Sequence, residues 1–132
     1  MEFGDLKKLF WALIILIGLG WYVREHYTFR NVLAFAKSHP SQSTAPALDY
    51  YSGMGFYLRE DYDGAIEAFS QLLTDYPTCQ YAPTALMRLS SSYMERNRWS
   101  EAKETLEKFI EQFPDDKNRP LVDQKYEYVK YK

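Results

Sequence analysis

The fold of this chain is decided by GMGFYLREDYDGAIEAFSQLLTDYP at residues 53–77 and its counterpart SSSYMERNRWSEAKETLEKFIEQFP at residues 90–114. When the first stretch is shifted by 37 residues, small residues coincide with small ones, aromatic rings with rings, and the closing prolines with each other. The clearest coinciding pairs are Gly53 and Ser90, Phe56 and Tyr93, Arg59 and Arg96, Tyr62 and Trp99, Ala65 and Ala102, Phe69 and Leu106, Leu72 and Phe109, and Pro77 and Pro114. Similarity at one fixed offset predicts a repeated structural unit.

Each unit predicts two helices joined by a polar turn, because apolar residues recur at helical spacing on both sides of a charged segment. In the first unit the turn covers residues 59–63, and a helix follows over residues 64–75 until the segment before a proline ends it. In the second unit the helices are predicted over residues 83–97 and 100–113, with Ser100 as the candidate N-cap.

This pattern resembles the tetratricopeptide repeat (TPR). The residues that carry the resemblance, and that should pack the repeats, are Gly53, Phe56, Ala65, Phe69 and Pro77 in the first unit and Ser90, Tyr93, Ala102, Leu106 and Pro114 in the second. The usual unit has about 34 residues, and the extra length here lies in residues 78–82. The repeats are most similar to the outer-membrane assembly lipoproteins and the Tol-Pal-associated periplasmic TPR proteins.

The resemblance implies an all-α scaffold over residues 46–116, with repeats at 46–77 and 83–114. Two features depart from it. Asp49 stands where an early Trp or Leu is common, and no lipid-bearing cysteine follows an apolar segment, since the single cysteine is Cys79.

The amino-terminal part of the chain contains an uncharged block, LFWALIILIGLGWYV, at residues 9–23. With its flanks, residues 6–27 form a helix of about 33 Å, enough to cross the roughly 30 Å hydrocarbon core of a bilayer. Aromatic residues of the kind that anchor helices at membrane interfaces lie toward both ends: Phe10 and Trp11, then Trp21, Tyr22 and Tyr27. We therefore predict a retained single-span anchor within residues 1–27; a cleaved signal peptide and a buried core helix are the alternatives.

The orientation of this anchor follows only weakly from charge. Lys7 and Lys8 precede the block, and Arg24, Arg30 and Lys37 follow it, so the positive charges on the two sides are nearly balanced. We expect a single-pass protein of a bacterial inner membrane with periplasmic repeats; a cytoplasmic repeat domain is the alternative.

The segments on either side of the repeats carry weaker patterns. Residues 28–45 predict a juxtamembrane helix, with Phe29, Leu33 and Ala36 on one stripe, that extends the anchor or lies along the membrane interface, followed by a linker, SHPSQSTAP. In residues 117–132, Val122, Tyr126 and Val129 at helical spacing predict a capping helix. The alternatives are the first helix of a third repeat completed by another protein, and a frayed tail.

Several classes of function are disfavoured by the sequence. With 16 basic and 18 acidic residues, the formal net charge is −2, which argues against nucleic acid as a partner. The chain has no Gly-rich phosphate loop, no His-x-x-x-His pair and no Cys-x-x-Cys motif, and His26, His39 and Cys79 lie apart from one another. We expect no catalytic residue, no metal, no cofactor and no small-molecule substrate.

The remaining candidate is the inward-facing side of the first helices of the repeats, here called the concave face. Its predicted partner-binding residues are Tyr50, Met54 and Tyr57 of the first repeat and Met87, Ser91 and Met94 of the second. Methionine and tyrosine make an adaptable surface for an apolar peptide or helix. Permanent cover by the tail helix or by residues 27–37 is the alternative.

The sequence thus predicts a non-enzymatic, membrane-anchored TPR adaptor, an accessory or assembly subunit of a larger integral membrane protein complex. The alternative is a chaperone-like receptor that holds extended apolar clients near a translocation or assembly site.

Overall fold

A computed structural model describes residues 2–26, 29–38 and 44–132. Within these residues the chain forms seven α-helices and no strand, which confirms the predicted all-α, TPR-like fold. The helices are α1 (Phe3–His26), α2 (Phe29–Ser38), α3 (Ala45–Leu58), α4 (Tyr62–Asp75), α5 (Ala82–Glu95), α6 (Trp99–Gln112) and α7 (Arg119–Val129). Tyr27, predicted at the membrane interface, and residues 39–43 of the predicted linker, including His39, lie outside the described residues.

The repeats form two stacked helical hairpins, α3 with α4 and α5 with α6, and α4 also packs against α5. Ala65 and Ala102 are fully buried, as expected for small residues where paired helices cross closely. Phe69 of the first hairpin and Phe109 of the second are the largest fully buried side chains. Burial of each ring removes a large apolar area from water, which stabilises its hairpin.

Both hairpins turn in the same way. The backbone N–H groups of Glu60 and Asp61 donate to carbonyl groups in the last turn of α3, and those of Asn97 and Arg98 do the same in α5. This is the Schellman pattern, which requires a left-handed residue after the helix. Glu60 (φ 59°) and Asn97 (φ 56°) occupy that position, where glycine is usual.

The second helices begin one or two residues before the predicted positions, and their caps differ. In the first hairpin, Asp61 is the N-cap and accepts a hydrogen bond from the Gly64 N–H at 3.0 Å. The prediction of Ser100 as N-cap is wrong, because α6 begins at Trp99 and Ser100 lies inside its first turn. Arg98 occupies the N-cap position and instead pairs its guanidinium with the Glu101 carboxylate at 2.9 Å.

Helix α7 continues the repeat. The starts of α3, α5 and α7 are 37 residues apart, and each helix carries a proline, Pro46, Pro83 or Pro120, in its first turn. Val122 and Val129 are buried in the core cluster of the second hairpin, so α7 covers the end of the stack as the predicted capping helix. The position filled by Gly53 and Ser90 is Glu127 here, so this helix lacks the small residue that admits a second helix.

Helix α2 caps the opposite end of the stack. Leu33 and Ala36 are buried, α2 packs on α3, and the Arg30 guanidinium pairs with the Glu67 carboxylate of α4 at 3.1 Å. The ends of α2, α4 and α6 are also 37 residues apart, so α2 lies in register with the second helices. Its apolar stripe therefore faces the first repeat, in contrast to the expected extension of the anchor or contact with a membrane interface.

Helix α1 is exposed along its whole described length. It has 24 residues, about 36 Å of helix, and an 18-residue window within Phe3–Glu25 has a mean hydropathy of 1.6. The interfacial candidates Phe10, Trp11, Trp21 and Tyr22 are each more than half exposed. The described part of the chain therefore offers no cover for this apolar surface.

Candidate partner-binding surface

The concave face is formed by the sides of α3, α5 and α7 that are turned away from α4 and α6. Four of its predicted residues, Tyr50, Met54, Tyr57 and Met94, are half-buried. Their side chains contact the core clusters below them while keeping part of their surface accessible. Their role in binding remains a prediction.

The other two predicted residues are buried. Met87, with 8% of its surface exposed, belongs to the core cluster that contains Val122 of α7. Ser91 accepts a hydrogen bond from the Lys125 ammonium of α7 at 2.5 Å. The tail helix thus covers the part of the concave face around α5, and the accessible part lies nearer α3.

Three tyrosines form a cluster between α3 and the start of α5. Tyr50 stacks on Tyr81 with ring centroids 4.6 Å apart and an interplanar angle of 16°. Tyr51 meets Tyr50 edge-on at 5.3 Å and remains 62% exposed. This arrangement presents a rigid aromatic surface at low entropic cost, since each ring is already held by its neighbours.

Two cations on the concave face were not found by pattern reasoning. The Arg88 guanidinium of α5 lies 5.1 Å from the centre of the Tyr57 ring, and its Nε is buried without a hydrogen-bond partner. Burial lowers the pKa of Lys125, and the nearby positive charge of Arg88 lowers it further. The repeat offset could have indicated them, because Tyr51, Arg88 and Lys125 are successive equivalents 37 residues apart.

A buried carboxyl group lies between α3 and α4. Asp49 has 1% of its surface exposed and accepts a hydrogen bond from the Gln71 amide at 3.0 Å. Burial, followed by the nearby Asp75 carboxylate, raises the pKa of Asp49 to about 6. In the second repeat the same position is the apolar Leu86, so Asp49 is a polar substitution in a core position.

The opposite side of the stack offers no better site. A cleft of about 280 Å³ lies between α4, α5 and α6, lined by Leu73, Leu89 and Tyr93. The charged groups at its rim, Glu104 and Lys108, pair with each other at 3.2 Å. No set of three or more His, Cys, Asp or Glu side chains is arranged to hold a metal ion within residues 2–26, 29–38 and 44–132.

The comparison with protein families finds a match over most of the chain. The model of the YfiO family, described as an outer membrane lipoprotein, matches residues 43–128. These 86 of the 132 residues include both hairpins and all but the last residue of α7. A search of curated proteins found no match to the chain.

Proposed function

Because this chain belongs to the YfiO outer membrane lipoprotein family, we propose that it is a non-enzymatic, membrane-anchored TPR adaptor. In this role it is an accessory subunit of a larger integral membrane protein complex, and it binds a polypeptide segment of its partner on the concave face. The TPR-like fold is a scaffold for protein–protein interaction. We assign that interaction to one surface, the concave face.

The proposal rests on one observation: apolar side chains remain accessible on the concave face although helices already cover both ends of the stack. Helices α2 and α7 bury their own apolar residues on the hairpins, so the stack needs no further helix to complete its core. Tyr50, Met54 and Met94 nevertheless keep accessible apolar surface on the concave face. Apolar groups that remain accessible beside a completed core favour contact with a partner.

We further propose that α1 anchors the protein in place of a lipid. The family description names a lipoprotein, yet the single cysteine of the sequence, Cys79, lies between the hairpins. A fully exposed apolar helix of about 36 Å matches the thickness of a bilayer core. The proposed location is a bacterial inner membrane with the repeats in the periplasm.

The anchor is tested by the mass of the protein recovered from membranes. A retained anchor leaves the protein in the alkaline-carbonate pellet with residues 3–26 still attached. A shorter product released by carbonate would show that α1 is a signal sequence. Labelling of Cys79 by an impermeant thiol reagent in cells with a permeable outer membrane then distinguishes a periplasmic from a cytoplasmic repeat domain.

The binding surface is tested by Met54→Glu combined with Met94→Glu, two half-buried positions that tolerate a charge better than Met87. A glutamate at Met87 would bury a charge in the core and unfold the hairpin, so that substitution does not test binding. We expect the pair to reduce co-purification of partner proteins at least tenfold. The matched control places glutamate at the exposed Thr74 and Gln112, on the other side of the stack.

A chaperone-like receptor is the second candidate, favoured by the half-buried, adaptable side chains of Met54 and Met94 and by the exposed Tyr51 ring. The two functions differ in the partners recovered. One set of membrane proteins that survives detergent supports the adaptor, whereas comparable binding of unrelated apolar peptides supports the receptor.

A further inference from the structure

Two cations lie side by side on the concave face. Arg88 of α5 contacts the Tyr57 ring of α3, and Lys125 of α7 reaches back to the Ser91 hydroxyl of α5. Ser91 lies three residues after Arg88 on α5, so the Lys125 ammonium reaches α5 within one helical turn of Arg88.

Neither cation has an acidic partner. Arg88 and Lys125 form no ion pair with a carboxylate within 4.0 Å among the described residues, whereas the cations Arg30, Arg96, Arg98, Lys108, Arg119 and Lys130 each do. Glu95 partly offsets the burial of Lys125 but lies beyond ion-pair distance. The Nε–H of Arg88 is buried with no acceptor.

This arrangement costs stability in the isolated chain. Two like charges repel, both are partly removed from water, and a buried donor without an acceptor loses its hydrogen bonds to solvent. A planar guanidinium and an ammonium group next to hydroxyl groups are the donors that bind a carboxylate well. A carboxylate from outside would supply both the missing charge and the missing acceptor.

We propose that Arg88 and Lys125 form a binding site for an acidic side chain, Asp or Glu, within the partner segment that occupies the concave face. This inference rests on the proposed function, because it specifies the chemistry of the segment bound there. Tyr50, Met54 and Tyr57 of α3 and Met94 of α5 contact the apolar residues of that segment, and the acidic side chain reaches the cations of α5 and α7.

The site suits a side chain better than a chain terminus. The accessible apolar residues belong to both α3 and α5, so a segment that crosses the surface continues past the cations.

The test uses the full chain in detergent and two random peptide libraries. One library displays internal segments without a free carboxyl terminus, and the other displays free carboxyl termini. We expect selection from the internal library to enrich Asp or Glu next to aromatic or aliphatic residues. Replacing the selected acid with its amide should weaken binding at least tenfold in the wild-type protein and less than threefold in the Arg88→Gln, Lys125→Gln variant.

The matched control is Lys103→Gln with Lys108→Gln, which removes the same charge from α6 on the other side of the stack and should leave the selection unchanged. If the double variant does not fold, Lys125→Gln alone serves, since that ammonium bonds only a serine hydroxyl.

Three results would overturn the proposal: selected peptides without acid enrichment, equal enrichment by the variant and the wild type, or acid dependence confined to free carboxyl termini. The first two leave the adaptor function standing, because peptides still bind. If neither library yields a binder, the proposed binding function of the concave face fails together with this site.

Discussion

The two hairpins fill the same space between their paired helices with different pairs of side chains. A Cβ atom added to Gly53 would lie 2.6 Å from the Phe69 ring, so glycine is required where the large ring fills the space. In the second hairpin Ser90 has a Cβ, and the facing residue is the smaller Leu106. The smaller facing residue compensates for the added Cβ atom and preserves the packing density of the hairpin.

A strained turn residue leads to the first prediction. Glu60 is held in the left-handed region, where a residue with a long side chain is disfavoured, and the equivalent position carries asparagine. We expect Glu60→Asn to raise the free energy of unfolding by about 0.5–1 kcal/mol. Thermal denaturation should show this as an increase of a few degrees in Tm. The reciprocal change, Asn97→Glu, should lower Tm by a similar amount, and a fall in Tm with Glu60→Asn would contradict the interpretation.

The buried carboxyl group of Asp49 predicts a pH dependence. Its pKa is about 6 in the folded protein and 3.8 in its ordinary environment, so the folded state binds this proton more tightly than the unfolded state. The contribution of Asp49 to stability is therefore fully present below about pH 4 and is lost as the pH rises through 6.

Asp49→Asn should remove this dependence and raise the free energy of unfolding at pH 7 by about 1–3 kcal/mol. Urea denaturation at pH 4.5, 6 and 7.5 measures the difference between variant and wild type. Asp115→Asn, in an exposed turn, is the control and should leave the profile unchanged. If the free energy of unfolding has the same pH profile in Asp49→Asn and in the wild type, ionisation of Asp49 does not lower the stability of the folded protein, and the interpretation is wrong.

At the scale of helices, the capping helices α2 and α7 set the length of the stack. Helix α7 buries Val122 and Val129 and exposes Leu121 and Tyr128, so adjacent residues on one helix have opposite roles. An uncovered end helix would leave the core cluster of the second hairpin in water. The stability of this hairpin therefore depends on a helix of 11 residues.

The corresponding prediction compares neighbours on α7. Val122→Asp should undock the helix and lower the free energy of unfolding by about 3 kcal/mol or more, because a charge replaces a fully buried side chain. Leu121→Asp, at a position 43% exposed, should change it by less than about 0.5 kcal/mol. Amide hydrogen exchange in α7 and α6 reports the loss of protection. Equal effects of the two substitutions would mean that α7 does not cap the hairpin.

The helices could be predicted from sequence because apolar residues at helical spacing and the 37-residue offset act locally. The docking of α2 could not, because a short amphipathic helix such as Phe29–Ser38 suits a membrane surface as well as a neighbouring helix. Cover of the concave face by the tail helix was an alternative that the sequence left open. The three-dimensional position of α7 shows that Met87 and Ser91 are buried and that Lys125 reaches Ser91, within one turn of Arg88 on α5.

At the scale of the whole molecule, the important feature is the position of the connection between anchor and repeats. Since α2 packs on α3, the repeat domain begins at α2, and only the part of the chain before α2 separates that domain from α1. Only residues 27–28 come between α1 and α2. The three peptide units from His26 to Phe29 span at most about 11 Å.

This feature predicts different effects for two insertions. Fifteen Gly/Ser residues between residues 27 and 28 should reduce energy transfer from a dye on the repeats to acceptors in the bilayer, because the repeats can then move away. The same insertion between residues 41 and 42 should leave the transfer unchanged. The dye is placed at the exposed Thr78, as Thr78→Cys in a Cys79→Ser background. Equal losses at the two sites would show that α2 does not stay docked.

With α1 embedded, so short a connection restricts the protein to lateral diffusion in a thin layer of water above the lipid headgroups. It can meet only those polypeptides that pass within a few nanometres of the same leaflet, however abundant others are in the surrounding compartment. Distance from the membrane would then select among partners before any side chain makes contact.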